Sequence, residues 1–70
     1  MTDSIYRVTE VIGTSSASWE EAAKNAVETA ARTLRDLRVG EVVTLDLTIE
    51  DGHVSHYRAR VNVSFKYETD

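Results

Sequence analysis

The chain has 70 residues, no cysteine and no proline, and its formal net charge at pH 7 is −4. Without cysteine, disulfides and thiolate metal sites are excluded, so a metal bound by other ligands or self-association remains as the way to stabilise so small a core. The negative charge argues against nucleic-acid binding, and no apolar run reaches the ~18 residues of a membrane span. We therefore expect one cytoplasmic domain, residues 1–70, that binds neither nucleic acids nor membranes.

The first predicted element is a β-strand over residues 5–12. This segment (IYRVTEVI) is rich in β-branched and aromatic residues, which are enriched in strands. Gly13 and the polar residues that follow it end the strand and lead to the next element.

The longest regular pattern predicts a helix over residues 18–38. Ser18 with Glu21 three residues later is a capping-box sequence, and Gly40 is the predicted helix stop. The apolar side of the helical wheel covers about half of the circumference, wider than the stripe of an ordinary surface helix. It consists of Trp19, Ala22, Ala23, Ala26, Val27, Ala30, Ala31, Leu34 and Leu37. Because this face is wide and mostly alanine, we expect a sheet that curls around it or a second subunit that helps to cover it.

Two strands joined by a tight turn are predicted over residues 41–50 and 53–67. Asp51 and Gly52 between them are typical of a two-residue type I′ turn. In the first strand, Val43, Leu45, Leu47 and Ile49 alternate with Val42, Thr44, Asp46, Thr48 and Glu50. In the second, Tyr57, Ala59, Val61, Val63, Phe65 and Tyr67 alternate with His56, Arg58, Arg60, Asn62, Ser64 and Lys66. The sequence therefore predicts an α+β fold of order β-α-β-β, a three-stranded antiparallel sheet curled around one long helix.

The lengths of these predicted elements indicate self-association. The helix would span about 30 Å, whereas the last strand would run to about 50 Å if it stayed straight. A three-stranded sheet also leaves two open edges. We expect further copies of the chain to cover the overhanging strand and the edges; the alternative is a monomer whose last strand is bulged.

No residues with catalytic spacing are found, so we expect a protein that is not an enzyme. His53 and His56 are three apart on a strand and point to opposite faces, and Ser55 between them has no evident base. Arg58 and Arg60 share a polar face and are expected to pair either with acids of a neighbouring subunit or with an anionic ligand.

An ordered set of short motifs resembles the dodecin family. The segments are 10–15 (EVIGTS), 18–22 (SWEEA), 34–37 (LRDL), 41–43 (EVV) and 61–65 (VNVSF), and the match runs without gaps from Tyr6 to Glu68. The resemblance implies a sheet that half-embraces the helix and a hollow homododecamer of cubic symmetry. It further implies binding of flavins (riboflavin, FMN or FAD) in many members, as storage or scavenging proteins rather than enzymes.

The resemblance also implies where this chain departs from the flavin-binding members. Those members carry a tryptophan, on which the flavin ring stacks, two residues before the glutamate that corresponds to Glu41; here that position is Val39. They carry a glutamine after the tyrosine of the last strand; here Arg58 follows Tyr57. The family's ligand pocket therefore maps to Val39, Glu41 and Arg58, and flavin is not expected. Trp19, in the first helical turn, is expected to anchor the core or an interface.

The chain is most similar to the tryptophan-lacking branch, the calcium dodecins. Residues 39–57 include four acids and no lysine or arginine, and Asp46, Glu50 and Asp51 are the candidate calcium ligands. Because calcium takes about six to eight oxygen ligands, several copies of the chain would have to contribute. The alternatives are a merely solvated acidic face, oxygens supplied by the loop 13–16, or a flavin-binding dodecin with an altered pocket. We expect a homododecamer that binds or buffers a small ligand or divalent cation.

Overall fold

The structure, a computed structural model, describes residues 5–67. Strand β1 is Ile5–Ser15, helix α1 is Trp19–Ala30, strand β2 is Leu37–Glu50 and strand β3 is His53–Tyr67. The three strands form one antiparallel sheet of order β1-β3-β2. The predicted β-α-β-β order and three-stranded antiparallel sheet are confirmed. Within the described range no helix is long and apolar enough to span a membrane.

The central strand β3 has partners on both sides over most of its length. It pairs with β1 from Ser15 opposite Tyr57 to Ile5 opposite Tyr67. It pairs with β2 from Glu50 opposite His53 to Leu37 opposite Phe65. The molecule is 56 Å long, whereas a 12-residue helix spans only about 18 Å. The overhang predicted for the last strand is therefore a property of the whole sheet.

The helix ends at Ala30, not at residue 38 as the sequence predicted. Turns follow, and Asp36 adopts a left-handed conformation with φ 58° before β2 begins at Leu37. The apolar spacing does continue through residues 34 and 37, but pairing of residues 37–40 with β3 satisfies the backbone in strand conformation instead. Gly40, predicted as a helix stop, lies inside β2 opposite Val63.

The start of the helix is fixed by two serines rather than one. Ser18 accepts a hydrogen bond from the Glu21 amide at 3.0 Å, which is the predicted cap. The reciprocal bond is different: the Glu21 carboxylate accepts the hydroxyl of Ser15 at 2.5 Å. Ser15 is buried at the end of β1, and its oxygen also accepts the Ala17 and Ser18 amides. The cap therefore ties α1 directly to β1.

The core is a close contact between alanines on α1 and the middle of the sheet. Its buried apolar members are Ala22, Ala26, Ala30, Ala59, Val61 and Val63. The three helix alanines belong to the predicted apolar face of the helix, and the three β3 residues share one face in the predicted alternation of that strand. The helix packs on β1 and β3 and barely touches β2. It therefore covers only part of the sheet.

Strand β2 is left largely uncovered on its apolar side. Bulges occur between Leu37 and Val39, Val42 and Thr44, and Thr48 and Ile49. The strict alternation predicted for β2 is therefore wrong. In particular, the predicted alternation places Val42 and Leu45 on different faces of β2. In the structure both line one apolar groove beside Trp19, Glu20 and Ala23.

Replacing Gly13 with alanine should destabilise this contact. A Cβ at this position would collide with the Ala22 carbonyl oxygen and would lie 2.8 Å from the Ala26 Cβ. Overpacking of this kind costs about 1–3 kcal/mol, to be measured by urea unfolding at fixed chain concentration. In the control Gly40→Ala the new Cβ would lie 3.3 Å from a Val27 methyl, so the loss should be smaller. Equal stability of Gly13→Ala and the parent would contradict this account of the core.

Candidate ligand-binding face

The side of the sheet that faces away from α1 carries the predicted ligand residues. Directly paired residues of neighbouring strands project to the same side, and the β3 residues between the buried ones project away from the helix. We call this surface the open face. Its members include Val8, Glu10, Ile12 and Thr14 on β1, Val39, Glu41, Thr44, Asp46 and Thr48 on β2, and His56, Arg58, Arg60, Asn62 and Ser64 on β3. The predicted pocket residues all lie on it, together with one predicted metal ligand.

Two ion pairs cross the open face, one from β3 to each edge strand. Arg58 donates to both carboxylate oxygens of Asp46, with Nε–Oδ1 at 2.7 Å and Nη2–Oδ2 at 2.8 Å. Arg60 donates from Nη1 to Glu10 Oε1 at 3.1 Å. The acids belong to the same chain as the arginines. The sequence predicted acids of a neighbouring subunit or an anionic ligand as the partners of these arginines, whereas within one chain both arginines already have acidic partners.

The Arg58 hydrogen bonds hold the pKa of the Asp46 carboxyl below its ordinary value, and the nearby charges of Arg58 and Arg60 act in the same direction. The same hydrogen bonds raise the pKa of Arg58. Both side chains are partly exposed, at 35% for Arg58 and 47% for Asp46, so water and salt screen the pair. Asp46 is thus a carboxylate that already has a cationic partner, Arg58.

Trp19, at the start of α1, is hydrogen-bonded to the backbone of Asp46. Its indole Nε1 donates to the Asp46 carbonyl oxygen at 3.1 Å. Its ring meets the Tyr57 ring edge-on, with centroids 5.2 Å apart and an interplanar angle of 74°. Trp19 therefore joins the start of α1 to β2 and β3, as an anchor, and is not part of the open face.

Sequence reasoning missed the Asp46–Arg58 pair because of a one-residue bulge. A regular two-residue hairpin at Asp51 and Gly52 would place Asp46 opposite Tyr57. The irregularity between Thr48 and Ile49 shifts the register by one residue, so that Asp46 faces Arg58. No local signal in the sequence marks this shift.

The three predicted calcium ligands do not meet within one chain. Asp46 is paired with Arg58, Glu50 lies opposite His53 at the end of the ladder, and Asp51 sits in the turn with φ 51°. Four residues of strand separate Asp46 from Glu50 by about 13 Å. Among residues 5–67, no three histidine, aspartate or glutamate side chains come together as metal ligands. A single chain therefore does not form a calcium site.

The predicted pocket residues fall into two separate parts of the open face. Val39, 55% exposed, lies opposite Ser64, and Glu41 lies opposite Asn62. Arg58 precedes Asn62 on β3 by four residues, about 13 Å away. Val39 and Glu41 are neighbours on this surface, but Arg58 is not next to them.

The Asp46–Arg58 pair should be visible in the titration of the protein. Asp46 has a lowered folded-state pKa, so its ion pair stabilises the fold above the unfolded-state value near 3.8 and ceases to do so as the pH falls through the lower folded-state value. Arg58→Gln should return the pKa of Asp46 towards its ordinary value, as measured by carboxyl-carbon NMR. Arg60→Gln, which removes only a more distant charge, should shift it less. An unchanged Asp46 titration in Arg58→Gln would contradict the pairing.

Comparison with known proteins agrees with this fold throughout. The sequence model of the family described as Dodecin matches residues 5–68. The chain is 41% identical over 63 residues to the calcium dodecin of Mycobacterium tuberculosis, covering 90% of this chain and 89% of that protein. The structure of a dodecin from Streptomyces coelicolor matches with a TM-score of 0.88 and 41% identity, covering all of both chains. A structure of the M. tuberculosis calcium dodecin, described as calcium-chelating with a calcium-binding site, matches with a TM-score of 0.80 and 39% identity over 94% of each chain.

Proposed function

The chain belongs to the dodecin family, and from that premise we propose that it is a non-catalytic protein that assembles from copies of itself and binds calcium where the copies meet. The proposal of a cation as the ligand rests on a set of carboxylates that have no ion pair in the described part of the chain: Glu41, Glu50 and Asp51. They lie in a stretch that has no lysine or arginine. The 41% identical relative named calcium dodecin supports the same cation.

Self-assembly is supported by the apolar surface that α1 leaves uncovered. On β2, Val42, Leu45 and Leu47 pair with helix-side residues of β3, yet they are between 38 and 50% exposed. A continuous surface of this kind is uncommon on a monomer and marks an interaction site. The outer sides of β1 and β2 also present unpaired backbone groups at the sheet edges. We propose the homododecamer that the family resemblance implies.

Assembly is tested by sedimentation. The parent chain should sediment far above the 7.8 kDa of a single chain. Leu45→Glu should dissociate the particle, because a carboxylate would be buried in the apolar contact without a partner. Leu45→Met, which keeps the site apolar and similar in volume, should leave the particle intact. A parent protein that sediments only as single chains would refute the proposal.

Calcium is proposed to bind between copies because one chain supplies too few oxygens. Glu50 and Asp51 adjoin each other at the tip of the β2–β3 hairpin and are both exposed. Copies related by a symmetry axis would bring several such pairs together, and carbonyl oxygens or water would complete a shell of about six to eight ligands. Asp46 is proposed as a further ligand, and Arg58 is its partner when no cation is bound.

A flavin is the second candidate ligand. Glu41 and Val39 lie exposed side by side on the open face, at the positions that correspond to the family's pocket. Valine offers no ring on which a flavin could stack, however, and stacking contributes roughly 0.5–1.5 kcal/mol beyond burial for each aromatic pair. We therefore rank calcium first.

Calorimetric titration distinguishes the two ligands. CaCl2 added to the chelator-stripped assembly should give a binding isotherm, and riboflavin should give none. The double variant Glu50→Gln/Asp51→Asn should lose most of the calcium affinity, because it removes two ligand charges per chain. Glu28→Gln removes an exposed helix carboxylate away from the hairpin and is the control that should bind normally. Silence at millimolar calcium, or riboflavin binding in its place, would refute the calcium proposal.

A further inference from the structure

Asp46 differs from the other candidate calcium ligands because a protein cation already occupies it. Both of its carboxylate oxygens accept hydrogen bonds from Arg58, at 2.7 and 2.8 Å. A calcium ion would use the same oxygens in the same plane. Neither Glu50 nor Asp51 has a comparable partner within the described residues.

The two partners are held opposite each other by the sheet rather than by chance contact of long side chains. Arg58 lies in the central strand, paired with Thr14 of β1 on one side and with Asp46 of β2 on the other. The Asp46 carbonyl oxygen is in turn fixed by the Trp19 indole. The bidentate geometry is therefore prepared by the backbone, and Arg58 loses little freedom in forming it.

The pair is nevertheless accessible to a competing cation. Its side chains are 35% and 47% exposed, and exposed ion pairs contribute little to stability. Calcium carries twice the charge of a guanidinium and prefers carboxylate oxygens. Displacement of Arg58 is therefore feasible at a moderate loss of affinity.

On these grounds we propose that Arg58 acts as an internal competitor of calcium, so that the metal recruits the Asp46 carboxylate only by displacing the guanidinium. This inference rests on the proposed calcium binding and adds a determinant of its strength. The affinity of the assembly would then be set by the residue opposite Asp46 as well as by the ligands themselves. Replacing Arg58 would make the same protein a tighter calcium binder.

The other ion pair of the open face provides the matched control. Arg60 lies two residues from Arg58 on the same strand and projects to the same side, but its partner is Glu10 on the opposite edge strand. That contact is a single hydrogen bond at 3.1 Å. Removing Arg60 changes the net charge by the same amount as removing Arg58, yet it frees no carboxylate among the predicted ligands.

The test is calorimetric titration of CaCl2 into chelator-stripped assemblies of the parent, Arg58→Gln, Arg60→Gln and Asp46→Asn/Arg58→Gln. Arg58→Gln should bind roughly tenfold more tightly, as expected when a calcium site gains one free carboxylate charge. Arg60→Gln should change the affinity much less. The double variant should lose the gain, since the freed carboxylate is no longer there. Trp19, the only tryptophan, donates to the Asp46 carbonyl, so its emission should change over the same calcium range.

The outcomes separate this inference from the proposed function. If the parent binds calcium and Arg58→Gln binds no tighter, the competition is refuted and the calcium proposal stands. An equal gain in Arg60→Gln, or a gain that survives Asp46→Asn, would show a general charge effect and also refute it. If none of the four proteins binds calcium, both proposals fail. Should Arg58→Gln not assemble, Arg58→Lys takes its place, since it keeps the charge but lacks the bidentate fork. A tighter calcium affinity of Arg58→Lys would support the competition, and an unchanged affinity would refute it.

Discussion

The close contact between α1 and the sheet at Gly13 is the constraint on which the rest of the structure depends. Only glycine allows β1 to pass so near the backbone of Ala22 and the side chain of Ala26. The helix is thereby seated over β1 and β3, and at 12 residues it is too short to cover the remainder of the sheet. Both the apolar surface of β2 and the whole open face lie outside its reach. The surfaces that remain available for binding are therefore those that the helix does not cover.

The open face combines fixed and free charges, and the distinction bears on its chemistry. Arg58 and Arg60 neutralise one acid on each edge strand, because the central strand places them between the two. Glu41, by contrast, has no ion pair within residues 5–67. The net charge of −4 suggests a generally acidic surface. The open face instead presents a few particular carboxylates without an ion pair. Unpaired carboxylates are those that a cation meets at the lowest cost.

Much of the fold could be predicted from local patterns, whereas the site could be predicted only in part. The alternation along β3 identified the buried Ala59, Val61 and Val63 correctly, because side chains of a strand alternate whatever its partner is. The apolar period of the helix was misleading beyond Ala30, since Leu34 and Leu37 join the core from a turn and a strand instead. A periodic pattern shows that residues face a core, but not which backbone conformation brings them there.

By itself, the sequence determined the order of the elements, the alanine face of the helix, the turn at Asp51 and Gly52 and the family. These features depend on backbone preferences and side-chain periods that act over a few residues. Only the tertiary structure decided where the helix stops and that Arg58 is the partner of Asp46. Both are results of pairing with β3, in which a single bulge between Thr48 and Ile49 changes the residue that each side chain faces. Contacts between distant strands follow from the register, and the register belongs to the sheet as a whole.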